Sequence, residues 1–60
     1  MPYDVRVWSL DNGRWRASVN WNGERLFGES DNPALAIVEL GIYWQNRSKQ
    51  LLKESEQKHD

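Results

Sequence analysis

Apolar and polar residues alternate along the first thirty positions of the chain and then change period, which divides it into two kinds of element. From Tyr3 to Ser9, the residues Tyr3, Val5, Val7 and Ser9 fall on one side. Asp4, Arg6, Trp8 and Leu10 fall on the other, the period-2 signature of a half-buried strand. Asp11-Asn12-Gly13 reads as a turn, and Arg14 to Trp21 alternates again, with Trp15, Ala17, Val19 and Trp21 opposed to Arg14, Arg16, Ser18 and Asn20. Asn22-Gly23 then gives a strong two-residue hairpin signal, because a type I′ turn needs positive φ at both positions. Glu24 to Glu29 forms a third strand.

Turn chemistry predicts the register. A two-residue loop at Asn22-Gly23 sets Trp21 opposite Glu24, Val19 opposite Leu26 and Ala17 opposite Gly28. For the first turn, a two-residue loop would expel Val5 and Val7 from the apolar face. A three-residue loop, built as a type I turn closed by Gly13 in the left-handed region, keeps Val7 opposite Ala17 and Val5 opposite Val19. The inner face then has the rows Ser9/Trp15, Val7/Ala17/Gly28, Val5/Val19/Leu26 and Tyr3/Trp21/Glu24, with small residues running between large ones.

From Asn32 onward the period becomes helical. Asn32 is a good N-cap and Pro33 stands where proline costs least, at the first helical position. At 100° per residue Ala34, Ile37, Val38, Leu40, Gly41, Ile42, Trp44, Leu51 and Leu52 fill an arc of roughly 200°, about twice the stripe one packed face requires. Gly41, in the middle of that arc, is expected where helix and sheet backbones approach. The surplus arc predicts a second buried surface, a contact with another copy of the chain. Leu40, Trp44, Arg47 and Leu51 follow a 4-3-4 spacing and, with Tyr43, are the expected self-association residues. The helix is expected to run to about Lys53. A polar tail over 54–60 follows, with a Glu54/Lys58 pair and His59, the one histidine.

The predicted fold is therefore α+β: a three-stranded antiparallel meander packed on one C-terminal helix, a single βββα domain over 1–53. Trp15, Ala17, Val19, Val5, Val7, Leu26, Ile37, Val38 and Gly41 are expected among its most buried residues. Sixty residues bury little core, and with no cysteine to form disulfides, oligomerisation is the remaining source of stability. The formal net charge of −1 provides no global field for nucleic acid or an anionic membrane. No basic-then-apolar leader and no run of 18 apolar residues stands in the sequence, so no membrane partner and a cytoplasmic setting are expected.

Candidate chemistry changes this picture little. The single histidine lies in the tail, and neither sequence nor strand geometry places a base beside any serine. Glu29 and Asp31 form a conceivable metal or acid–base pair, but both precede a helix N-terminus, where negative charge is favoured without any ligand. No catalytic residue, metal site or cofactor is expected. The outer sheet face is richer and is the expected partner-binding surface: Arg6, Arg14, Arg16 and Arg25 share it with Trp8, Leu10 and Phe27, a mixture that suits a protein contact and is also able to hold phosphates and stack bases. Trp8, Arg16 and Glu29 align across strands, as do Asp4, Asn20 and Arg25, which leaves Arg6 and Arg14 as the unpaired arginines.

At Trp15-x-Ala17, Asn22-Gly23 and Gly28-x-x-Asp31-Asn32-Pro33-Ala34-Leu35-Ala36-Ile37 the chain resembles the small phage-encoded alpha-beta-alpha sandwich family. Members of that family end a short meander with a Gly…Asp-x-Pro-Ala-like entry into a helix. Through Gly13-x-Trp15-x-Ala17, Gly23-x-Arg25 and Gly28 it is also similar to three-stranded DNA-binding domains of the plant ethylene-response and phage integrase arm type. These resemblances imply a phage or mobile-element setting, in the host cytoplasm. The expected function is a small non-enzymatic binding protein, an accessory protein or inhibitor that contacts a host protein or nucleoprotein as a homodimer. The alternative is a nucleic-acid-binding module that uses the arginine- and tryptophan-bearing outer face.

Overall fold

A computed structural model describes residues 3–57. Three strands, β1 (Val5–Ser9), β2 (Trp15–Trp21) and β3 (Glu24–Ser30), form an antiparallel sheet in the order β1-β2-β3, and one helix, α1 (Pro33–Gln57), follows. The expected βββα architecture is the one observed.

Both turns take the geometry that their residues dictate. The Gly13 N–H donates to the Leu10 carbonyl at 3.1 Å, closing a turn over Leu10–Gly13, and Gly13 lies at φ 84°. The Asn12 side chain accepts the Arg14 N–H at 3.1 Å. This three-residue loop sets Val7 opposite Ala17 and Val5 opposite Val19, as predicted. Asn22 and Gly23 lie at φ 55° and 77°, the two positive values of a type I′ turn, and bring Trp21 opposite Glu24 and Ala17 opposite Gly28. The Asn32 Oδ1 accepts the Ala34 N–H at 2.7 Å and the Leu35 N–H at 3.3 Å, satisfying two of the free donors of the first helical turn.

The helix does not present the expected face. Its buried residues are Ala36 and Leu40, with Pro33, Trp44, Arg47, Ser48 and Leu51 partly covered. Ile37 and Val38, expected in the core, are about half exposed, and Gly41 lies in the open. The close approach is instead at Gly28, where an added Cβ would overlap the Leu40 amide nitrogen and stand 2.5 Å from the Ala36 carbonyl oxygen. A hollow that admits the helix backbone draws in the helical stripe with the smallest residue at that level, which is Ala36 rather than Ile37 or Val38. An added Cβ at Gly41 meets nothing, so that glycine serves no helix–sheet contact.

The helix is also off centre. Only the two residues Asp31 and Asn32 separate β3 from α1, so the helix starts above the end of β3 and runs back along it, covering β3 and part of β2. A helix of roughly 10 Å diameter spans about two strands at 4.8 Å spacing, which leaves the inner face of β1 open. Val5 is 49% and Val7 37% exposed for this reason, although both stand on the predicted face in the predicted register. The core is Ala17, Val19, Leu26, Ala36 and Leu40, flanked by Trp15, Trp21 and Trp44.

At 25 residues the helix is roughly 37 Å long, against roughly 23 Å for the seven-residue strands, so its last turns project beyond the Asn22-Gly23 hairpin. It continues to Gln57 rather than stopping near Lys53. Lys58 and His59 lie outside the described residues. Among the described residues no helix is long and apolar enough to cross a membrane.

Candidate functional site

Two surfaces carry the residues singled out by the sequence. On the outer sheet face, β1 supplies Arg6 and Trp8, β2 supplies Arg16, β3 supplies Arg25 and Phe27, and the loop between β1 and β2 ends in Leu10 and Arg14. The register places Trp8, Arg16 and Glu29 in one row and Arg6, Ser18 and Phe27 in the next.

Most of the arginines on this face are engaged within the chain. Arg14 reaches Glu29 at 2.9 Å and Asp31 at 2.7 Å. Arg16 reaches the other oxygen of Glu29 at 2.9 Å and lies over the Phe27 ring, 5.6 Å from its centroid. Arg6 pairs with Asp4 at 3.1 Å, between two exposed side chains. Arg25 donates to the Asn20 side-chain oxygen at 3.1 Å and is the one of the four with no carboxylate partner among the described residues. The expectation that Arg6 and Arg14 stand unpaired is thus corrected. Arg14 comes close to Asp31 because the β2–β3 register, which pairs Trp15 with Ser30, sets position 14 opposite position 31 one step further on, with Glu29 diagonally across on the same face. Four arginines against three carboxylates leave this face one net positive charge. Ser18, in its middle row, is 3% exposed although it faces away from the helix, so the long side chains around it roof the face over.

The hydrogen bonds from Arg16 and Arg14 hold the Glu29 carboxyl below its ordinary value of 4.5, against a smaller opposing effect of desolvation. On the inner face the Arg47 guanidinium binds Glu24 through two hydrogen bonds, of 3.0 and 2.7 Å. Those bonds lower the Glu24 carboxyl and raise Arg47. Since both glutamates titrate lower in the fold than in the unfolded chain, their stabilisation is complete above about pH 4.5 and is lost as pH falls through the folded values. The melting temperature is therefore expected to be flat from pH 7 to about pH 5 and to fall in acid. Circular dichroism melts of the wild type and of a Glu24→Gln/Glu29→Gln variant test this: the variant should start lower and lose less between pH 5 and pH 3. Parallel curves would contradict the assignment.

The second surface is the helix. Leu40, Trp44, Arg47 and Leu51, expected to mediate self-association, lie instead on the side of α1 that meets its own sheet. Leu40 is 3% exposed, Trp44 packs edge-on against Tyr3 at 5.2 Å and near Trp21 at 6.2 Å, and Arg47 is held by Glu24. Leu51 is half buried and Tyr43 is exposed. A sequence signal for this side existed. Glu24 falls in an inner-face row, a carboxylate there needs a cation from the covering element, and Arg47 is the only arginine in the helix; the stripe containing Arg47 also contains Leu40, Trp44 and Leu51.

With that stripe against the sheet, the opposite face of the helix is the one left bare. Leu35, Val38, Ile42 and Leu52 each expose about half or more of their surface, and Gly41 lies beside them. Scattered exposed apolar residues are ordinary, but Leu35, Val38 and Ile42 stand on successive turns of this helix, with polar Gln45 and Lys49 between them and Leu52. Among the described residues no cavity forms, and no group of three or more His, Asp or Glu side chains could hold a metal. Comparison of the chain with known protein families, with curated proteins and with solved structures found no match.

Proposed function

We propose that this chain is a small non-enzymatic protein-binding module, an accessory protein or inhibitor that acts as a homodimer on a protein or nucleoprotein partner. The observation that carries the reading is the contrast between its two outward faces. Three of the four arginines on the outer sheet face are engaged by Asp4, Glu29 and Asp31, whereas the apolar row on the outer side of α1 has no partner among the described residues. Internal ion pairs reduce what a face can offer to phosphates, and a bare apolar row favours a protein surface. A phage or mobile-element setting in the host cytoplasm is part of the same proposal and draws on the sequence resemblance.

The test is a salt titration of nucleic-acid binding. Each phosphate neutralised contributes about −0.9 to the log–log salt slope on duplex DNA, so Arg25, which has no carboxylate partner among the described residues, and the exposed, weakly paired Arg6 correspond to a slope of about −2 per subunit. No measurable binding of single- or double-stranded probes is expected near 150 mM salt. Tight binding under those conditions, abolished by Arg6→Ala/Arg25→Ala, would overturn the reading and favour the nucleic-acid module.

A further inference from the structure

The outer face of α1 carries more than a loose apolar patch. Leu35, Val38, Ile42, Gln45, Lys49 and Leu52 follow one another at spacings of 3-4-3-4-3, the repeat by which two helices interlock side chains along a common line. All six are exposed in the chain. This repeat is distinct from the Leu40/Trp44/Arg47/Leu51 stripe, which the sheet occupies.

The spacing is symmetric about a point between Tyr43 and Trp44. If a second helix lies antiparallel with its midpoint there, Leu35 of each copy is level with Leu52 of the other, Val38 with Lys49, and Ile42 with Gln45. Apolar ends then meet apolar ends, and the projecting last turns of each helix rest on the first turns of the other. Charge discriminates between orientations. A parallel pair would set Lys49 against Lys49 and Glu39 beside Glu39, whereas an antiparallel pair brings Lys49 of one copy within reach of Glu39 of the other.

Gly41 fits a second copy as well. A mid-helix glycine weakens a helix, and this one relieves no contact among the described residues, yet it flanks the proposed line of contact, where a missing side chain admits a second backbone.

We propose that the outer face of α1 seats a second copy of this chain, whose own α1 crosses it antiparallel about a two-fold axis level with Tyr43 and Trp44. The inference rests on the reading of this row as a protein-contacting surface and makes the second copy its occupant, which leaves the outer sheet face, with Trp8, Leu10 and Phe27, to a further partner. A two-fold contact of this kind is closed, with the same patch used by both copies, so association ends at the dimer.

Because the chain has no cysteine, introduced thiols report the geometry directly. Leu35→Cys and Leu52→Cys proteins, made separately, mixed in equal amounts and oxidised gently, should give chiefly the 35–52 heterodisulfide, with both homodisulfides minor. In sedimentation equilibrium the wild type should reach twice 7.1 kDa. Ile42→Glu should weaken association by at least about tenfold, since it buries an unpaired carboxylate at the contact, and should keep its circular dichroism spectrum, since residue 42 is exposed in the folded chain. Glu39→Lys should weaken association, and Glu39→Lys/Lys49→Glu should restore it. A wild type that remains at 7.1 kDa up to millimolar concentration, or a dominant 35–35 disulfide, overturns the arrangement. The two proposals fail separately: a monomer that ignores nucleic acid at physiological salt removes this dimer, and the homodimer from the reading above, but leaves the protein-binding module, whereas a dimer that binds DNA tightly keeps the dimer and overturns the protein-binding reading.

Discussion

Gly28→Ala is expected to remove a large share of the protein's stability, while the same one-carbon addition at Gly41 is expected to stabilise the isolated chain. The difference lies in what the new methyl group meets. At position 28 it would overlap the Leu40 amide nitrogen and come within 2.7 Å of the Leu40 Cα, both backbone atoms of a packed helix that cannot rotate away. Relief requires α1 to lift from the sheet, which opens contacts along Ala17, Leu26 and Ala36 as well. Overpacking of this kind costs about 1 to 3 kcal/mol or more. A domain of this size holds only about 3 to 5 kcal/mol in total, so the loss is a large share of it. At position 41 the methyl meets open space, and replacing a mid-helix glycine by alanine contributes about 0.5 to 1 kcal/mol. Urea unfolding of the two variants at low protein concentration tests the pair. Equal effects, or a Gly28→Ala protein with the wild-type midpoint, would show that the helix does not dock at Gly28.

Leu40→Ala is the second large expected effect, about 2 to 5 kcal/mol, because Leu40 is buried at the centre of a core of five residues and a cavity left there has few neighbours able to relax into it. Ile42→Ala, two positions along the same helix, should change the stability of the dilute protein by no more than about 0.5 kcal/mol, the scale of an exposed substitution. Thermal melts at low concentration separate the two. A sensitive Ile42 and an indifferent Leu40 would reverse the assignment of helix faces.

The sheet was legible from sequence because its determinants are local. Asn22-Gly23 admits essentially one hairpin geometry, Gly13 permits the left-handed residue that closes the other loop, and the alternation of Val5, Val7, Ala17, Val19 and Leu26 then admits one register. The same holds for the start of the helix at Asn32 and Pro33. The rotation of the helix was not legible in that way. Its most apolar arc, around Ile37, Val38 and Ile42, reads as the core side when hydrophobicity alone is weighed. The sheet selects a different side by shape and charge, with Gly28 admitting Ala36 and Leu40, and Glu24 requiring Arg47. Both criteria connect residues far apart in the chain.

The exposure of Val5 and Val7 had a related cause. Strand pattern assigns them to the inner face correctly, but how far the helix reaches across that face depends on the two-residue link from β3, which starts the helix above β3. On the outer face, Arg14 reads as unpaired only if the rows stop at Arg16 and Glu29; one step past Trp15 and Ser30 the same register sets it opposite Asp31, with Glu29 diagonal to it. The width of the apolar arc is legible as a surplus; which side the sheet takes is not, and the expected division, with Val38 inside and Leu40 and Trp44 outside, is reversed in the fold.

The claim that joins these points is that α1 has two working faces, one holding the fold and one holding a second chain. It is tested most directly by the dependence of unfolding on protein concentration. Urea unfolding followed by tryptophan fluorescence should give a midpoint that rises steadily over a hundredfold increase in wild-type concentration, as mass action requires of a protein stabilised by its own association. With Ile42→Glu the midpoint should become independent of concentration while unfolding stays cooperative. A wild-type midpoint that does not move with concentration would contradict the account.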